Sequence, residues 1–149
     1  MTSYRKATLD DVPAMIVLRK QQLIDEGQTP EPNIDSEMEN FFKRRLLDGS
    51  LIQYLAVSDN EIIASGAVIF YDFPPSYTNP KGQWAYFGNM YTSPSHRGQG
   101  IAKYILNLLA EEVRQAGVEK IWLATSEMGR PVYKKFGFEE IDWNLVMTI

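Results

Sequence analysis

Between a strand-like run ending at Thr92 and a helix-like run beginning near Gln99 stands Arg97-Gly98-Gln99-Gly100-Ile101-Ala102, a set of residue types suited to holding a polyphosphate. Glycines at 98 and 100 allow backbone conformations closed to bulkier residues and let the chain approach a ligand closely, so that consecutive amides can face phosphate oxygens. A helix starting here adds its free N–H groups and positive dipole end, and Arg97 adds a permanent charge. By spacing alone, a Gly-x-Gly turn is as good a way to start a helix as to bind phosphate. Two known phosphate loops do not fit. A dinucleotide fingerprint needs a third small residue after two intervening positions, and Gly100 is followed by Ile101-Ala102-Lys103. The Gly-Lys-Ser/Thr of a P-loop is absent.

The elements that would position this segment alternate between strand and helix periods. Tyr4 to Ala7 reads as a short strand, and Thr8-x-x-Asp11 as a capping signature with Pro13 tolerated in the opening turns. Val12, Met15, Ile16, Leu23 and Ile24 form one apolar helical stripe. After the break at Gly27-Gln28-Thr29-Pro30-Glu31-Pro32, Ser36-x-x-Glu39 is expected to open a second helix with Met38, Phe41, Phe42 and Leu46 inward, stopped at Gly49. Strands Leu51 to Ser58 and Ile62 to Tyr71 follow, with Asp59-Asn60-Glu61 as their hairpin turn. Phe73 to Gly82 has too many prolines and turn formers for regular structure and reads as a long loop, either an aromatic rim or a surface hairpin. A strand resumes at Trp84. Ile101, Ile105, Leu108, Leu109 and Val113 then mark a long helix ended by Gly117. Ile121 to Thr125 is the next expected strand, Gly129 to Phe136 a short helix capped by Gly137, and Ile141 to Thr148 a last strand. Strand, helix and strand in that order imply a right-handed crossover between parallel neighbours, with the glycine segment at the carboxyl end of the first.

Composition narrows the function classes. A chain of 149 residues with 44% hydrophobic content can bury one good core, and residues 1–149 read as one domain. A formal charge of −4 argues against nucleic acid as a partner and faintly favours a cationic acceptor. With no cysteine, disulfides, thiolate metal sites and a cysteine nucleophile are excluded, and a single histidine excludes a multi-histidine metal site. No apolar run approaches the roughly 20 residues needed to cross a bilayer, and the N-terminus lacks a signal-peptide core, so no membrane partner and a cytoplasmic location are expected.

The order of motifs resembles the GNAT N-acetyltransferases, whose central motif reads Arg/Gln-x-x-Gly-x-Gly/Ala. Arg97, Gly100 and Ala102 match it. The likeness extends upstream to Tyr86 to Thr92 with Ser93-Pro94 following, and downstream to Arg130-Pro131-Val132-Tyr133-Lys134-Lys135-Phe136-Gly137-Phe138, together roughly the last two thirds of the chain. The fold implied is an α/β one, a GNAT-type mixed central sheet with splayed parallel middle strands and helices on both faces. The activity implied is direct acetyl transfer from acetyl-CoA to a primary amine of a small molecule or peptide. By the same resemblance, backbone groups of Met90, Tyr91 and Thr92 pair with the pantetheine arm much as an added strand would. Arg97, Gly98, Gln99, Gly100, Ile101 and Ala102 would hold the phosphates, and Ser126 would touch the cofactor arm. For Met90 itself, core packing is the better account of the side chain.

Tyr133 is the expected general acid: in the family the tyrosine before Gly-Phe lies beside the thiol, and a phenol there can protonate a departing thiolate. The base is less clear. Histone-acetylating members carry a glutamate four residues before the cofactor-pairing segment, and Tyr86 stands at that place. Asn89 and Tyr86 could orient a water, and Glu127, Asp72 or Glu26 could act from neighbouring loops. His96 reads as a loop residue. The first two helices and the loop from Phe73 to Gly82 are expected to form the acceptor pocket. Without cysteine or a serine triad, a covalent acetyl-enzyme is disfavoured. Other readings stay open: a non-catalytic acyl-CoA-binding sensor of the same fold, a longer acyl donor, or an acceptor other than nitrogen. The final run from Ile141 to Ile149 offers an apolar edge that could pair across a homodimer.

Overall fold

Apolar residues recurring every second position require a ladder partner, and in this chain most of them find one. A computed structural model describes residues 1–141 and 143–149. In chain order the elements are β1 (Ser3–Lys6), α1 (Val12–Asp25), α2 (Asp35–Asp48), β2 (Leu51–Ser58), β3 (Glu61–Asp72), β4 (Gln83–Thr92), α3 (Ile101–Gln115), β5 (Ile121–Trp122) and α4 (Arg130–Phe136). One sheet has the order β1-β2-β3-β4-β5. The first four strands pair antiparallel, and β5 runs parallel to β4. The mixed sheet with helices on both faces is therefore as expected.

Strand parity decides which face each residue serves. Tyr54, Ala56, Val68, Phe70, Ala85 and Phe87 pack with Ile101, Ile105, Leu106, Leu109 and Val113 of α3. On the opposite face Leu51 and Ile69 pack with Val12 and Met15 of α1 and Met38 and Phe42 of α2. Of the five positions read from the sequence Leu108 is only partly buried, and Leu106 and Ala110 join the other four on the inward face of α3. Ile24 is exposed and does not continue the inward stripe of α1.

Local chemistry sets the boundaries. Asp11 accepts the Thr8 N–H at 2.8 Å, the reciprocal half of a capping box, while a bidentate pair with Arg5 fixes its carboxylate. α2 starts at Asp35 with Ile34 as its cap residue, ahead of the expected Ser36, because Asn33 Oδ1 accepts the Asp35 N–H at 2.9 Å and turns the chain there. Gly49, at φ +78°, ends that helix in the left-handed conformation. Asp59 and Asn60, both at positive φ, make a two-residue turn, and Glu61 already pairs with Ser58.

Two expected strands differ. β5 stops at Trp122 instead of Thr125, because only Ala85 and Tyr86 offer it a parallel partner before β4 diverges. The last strand, expected from Ile141 to Thr148, does not form among the described residues; Asp142 lies outside them. Trp143, Leu145, Val146, Met147 and Ile149 are exposed. A two-residue β5 gives this run no ladder to join, and an unpaired strand has no backbone bonds to hold it. The dimer edge expected there is left without a strand to carry it.

Candidate active site

Beyond Tyr86 and Trp122, β4 runs six residues further with no strand on its β5 side among the described residues, so the parallel pair opens into a gap. A bulge interrupts β4 within that stretch. Ser65 pairs with Tyr91 and Ala67 with Gly88, so Asn89 and Met90 together face Gly66 alone. Asn89 sits at φ +52°, which asparagine tolerates better than most residues. Its surroundings fix it there: the Ser65 hydroxyl donates to the Asn89 carbonyl at 3.0 Å, and the Asn89 amide donates to Gln53 Oε1 at 3.2 Å. Gln53 and Ser65 are each only 1% exposed. Gly66 leaves room for Met90, whose Sδ would lie 2.5 Å from an added Cβ.

The glycine segment follows at the open end. Gly98 and Gly100 have φ of +77° and +81°, and a Cβ at either would meet nothing within 4 Å. Their glycines thus serve conformation, and they leave space for a ligand. The backbone amides from Gly98 through Lys103 donate to no protein acceptor among the described residues, and the first bond of α3 is from Tyr104 N–H to the Gly100 carbonyl. Free amides, the amino end of α3 and Arg97 form a donor set that fits a phosphate group. Arg97 is held in place by its Nε–H to the Thr92 carbonyl at 2.9 Å and by an ion pair to Asp25 at 3.4 Å.

Gap and glycine segment open into one cleft of about 570 Å³. Met90, Tyr91, Thr92, Arg97, Gly98, Gly100, Ile101, Ala102, Ser126 and Tyr133 all line it; Gln99 does not, its amide turning to the Ser95 carbonyl at 3.5 Å. Met90 packs against the α3 core, the reason expected for its identity. Ser126 Oγ accepts the Gly129 N–H at 3.2 Å and so also caps the turn into α4. Tyr86 lines the cleft with its ring against Trp122 at 4.6 Å. His96 borders it, with Nδ1 2.8 Å from the Ser93 hydroxyl.

Tyr133 reaches the cleft from α4. Gly129, where an added Cβ would lie 2.8 Å from Cε2, and Phe138, at 6.1 Å between ring centres, hold its ring. Its pKa is pushed up to about 12, first by burial, then by the negative charge of Glu26 and by Tyr86. The phenol therefore keeps its proton throughout the neutral range.

The opposite wall was less visible in the sequence. Arg19, Gln22, Leu23, Asp25, Glu26 and Gln28 supply it, from α1 and the turn after it, whereas α2 contributes nothing to the lining. The loop from Phe73 to Gly82 is also outside it. That loop enters β4 at its amino end, and Asn79, Pro80 and Lys81 border a separate small depression with Gly117 and Glu119. Asp72 and Glu127 do not line the cleft either. The buried pair Gln53 and Ser65 was missed, although Gln53 stands between Leu51 and Leu55 in an inward register, a signal that parity could have supplied.

Comparison with known proteins agrees with this geometry. Residues 18–138 match the model of the Acetyltransferase (GNAT) family. The crystal structure of a predicted acetyltransferase with acetyl-CoA from Clostridium acetobutylicum is 44% identical, covers 99% of this chain and 96% of its own, and superposes with a TM-score of 0.97. The crystal structure of a GCN5-related N-acetyltransferase from Ralstonia eutropha JMP134 shares the fold at 22% identity, with a TM-score of 0.93 over 100% of this chain and 99% of its own. The uncharacterized N-acetyltransferase YjgM of Escherichia coli (strain K12) is 25% identical over 97% of this chain and 86% of its own length.

Proposed function

The chain belongs to the GNAT acetyltransferase family, and on that premise we propose that it moves an acetyl group directly from acetyl-CoA to a primary amine of a small molecule or peptide. The observation that carries this reading is one cleft with unpaired amides at one end and a half-buried, protonated phenol further in. Bound acetyl-CoA supplies the acetyl group as a thioester, whose sulfur must leave with an electron pair. Arg97 and the amides of Gly98, Gly100, Ile101 and Ala102 receive its phosphates. The unpaired edge of β4 at Met90, Tyr91 and Thr92 receives the amide-bearing arm, as an added strand would be received. Ser126 offers that arm its hydroxyl proton. Tyr133 Oη delivers the proton that the departing sulfur needs, and its raised pKa keeps it loaded at neutral pH.

Direct transfer is favoured because the chain has no cysteine to carry the acetyl group. A cytoplasmic location goes with this reading. Tyr86, standing where histone-acetylating relatives have a glutamate, is the one feature that favours a non-catalytic acyl-CoA sensor instead.

The test is thiol release from acetyl-CoA across polyamines, amino acids, aminoglycosides and short peptides with free N-termini or lysines. Turnover with one acceptor class supports transfer and identifies the class. Tight acetyl-CoA binding in calorimetry without thiol release from any acceptor would replace the enzyme by the sensor.

A further inference from the structure

Two helix ends of opposite polarity meet in the cleft. The amino end of α3 borders it with free N–H groups, and the carboxyl end of α1 borders it with Asp25 and Glu26. Helix carboxyl ends attract cations, and the last turn of α1 holds no basic residue of its own. The two carboxylates are not equivalent. Asp25 Oδ2 is paired with Arg97 at 3.4 Å, and Asp25 Oδ1 accepts from Gln21 at 2.9 Å. Glu26 is held by a relay along one face of α1: Arg19 donates to Gln22 Oε1 at 3.2 Å, and Gln22 Nε2 donates to Glu26 Oε1 at 3.1 Å. Its second oxygen, Oε2, has no partner among the described residues. Glu26 is also near enough to Tyr133 for its charge to help hold that phenol neutral.

We propose that Glu26 receives the acceptor as an ammonium ion and takes its proton, so that the acceptor side of the cleft lies under the end of α1 and selects amines that arrive charged. This rests on the acetyl-transfer reading above and supplies the base it lacks. The balance is complete. The ammonium leaves one proton on Glu26 Oε2, the N–C bond forms as the C–S bond breaks, and sulfur takes the Tyr133 proton. The second proton of the acylated nitrogen restores Tyr133, and Glu26 returns its own to solvent.

The other charged or titratable groups around the cleft do not serve the same end. Arg19 and Asp25 share α1 with Glu26 and are engaged in the bonds just described. Arg97, His96 and Lys103 stand at the glycine segment and the start of α3, Lys135 is on α4, and Tyr86, Tyr91 and Tyr133 are phenols. Among the described carboxylates that line the cleft, Asp25 has both oxygens engaged and Glu26 keeps one free.

Glu26→Gln keeps the shape, sits on an exposed turn and preserves a hydrogen-bonding group toward Gln22. With the best acceptor of the amine panel, kcat/KM at neutral pH should fall about 10²-fold or more, while acetyl-CoA affinity and the unfolding temperature stay as in the parent. The pH dependence separates a base from a structural prop. Without Glu26 only the neutral amine can react, and its share rises about tenfold per pH unit below an amine pKa of about 10.4. The deficit of the variant should therefore shrink steadily from pH 7 to pH 10. A deficit under about threefold, or one that does not change with pH, overturns the assignment while leaving acetyl transfer in place. A parent enzyme silent with every amine overturns the transfer reading, and this inference with it.

Discussion

Gln53→Leu tests whether the bulge in β4 is fixed by the buried polar pair or would form regardless. Leucine matches the size and apolar surroundings of Gln53, but it removes the acceptor that Asn89 Nδ2 uses at 3.2 Å. The Asn89 amide is then left in a site whose other polar wall, Ser65, already donates to the Asn89 carbonyl. An unsatisfied donor costs about 1–3 kcal/mol when desolvated, and for half-buried Asn89 a loss of about 2 kcal/mol is expected. For a chain of this size that lowers Tm by about 4–8 °C. Asn89 at φ +52° also loses the bond that favours this conformation, and the amides after it are those proposed to meet the pantetheine arm. Acetyl-CoA affinity should fall about tenfold, the equivalent of about 1.4 kcal/mol. Asn89→Gly accepts the same φ but strands the Gln53 carbonyl instead. Removing both partners strands neither, so the double variant should be at least about 1 kcal/mol more stable than the two single losses sum to. Thermal unfolding and calorimetry on the four proteins decide it. Additive losses, or Gln53→Leu with unchanged acetyl-CoA affinity, would refute the idea that this pair sets the geometry of the cleft.

Tyr133→Phe keeps the ring packed against Gly129 and Phe138 and removes a hydroxyl that has no bonding partner among the described residues; stopped-flow or steady-state kinetics should show kcat lowered about 10²–10⁴-fold with acetyl-CoA affinity unchanged. Because the parent phenol holds its proton up to about pH 12, the parent profile should show no alkaline limb from Tyr133 below about pH 11. Gly66→Ala would bring a Cβ to 2.6 Å from Ile105 Cγ2, a stiff branched side chain on α3, and denaturant titration should register a loss of about 1–3 kcal/mol. Asp11→Asn tests the cap at the start of α1. The Arg5 guanidinium holds the Asp11 carboxyl down to about 2, below its unfolded value near 3.9, so its stabilisation is present above about pH 4 and disappears as pH falls toward 2. Since Arg5 is half exposed, the deficit should be about 1–2 kcal/mol at pH 7 and should close by about pH 2 in urea titrations.

How much of this was legible in the sequence depends on how local each cause is. The glycine segment could be read directly, because positive φ at Gly98 and Gly100 and the free amides at the start of α3 are properties of one short stretch. The α3 stripe was readable for the same reason, since one face of a helix is determined within the helix. β5 and the run after Phe138 were not, because a strand exists only where another strand accepts its bonds. Ile121 to Thr125 and Ile141 to Thr148 carry strand-like residues, yet β4 and β5 part after Tyr86, which leaves β5 only Ala85 and Tyr86 to pair with. The same divergence opens the cleft, so the shortened strand and the ligand gap have one cause. Further along β4 its bulge is braced by Gln53 and Ser65, two polar residues on inward registers of apolar strands. Each looks like a defect within its own strand, and each is explained only by Asn89 across the sheet. Glu26 is further still from its partners in sequence, since Tyr133 lies on the other wall of the cleft. A local reading could not rank it above Glu127 or Asp72. Only the fold, by turning the end of α1 toward the splay, separates a carboxylate that lines the cleft from two that do not.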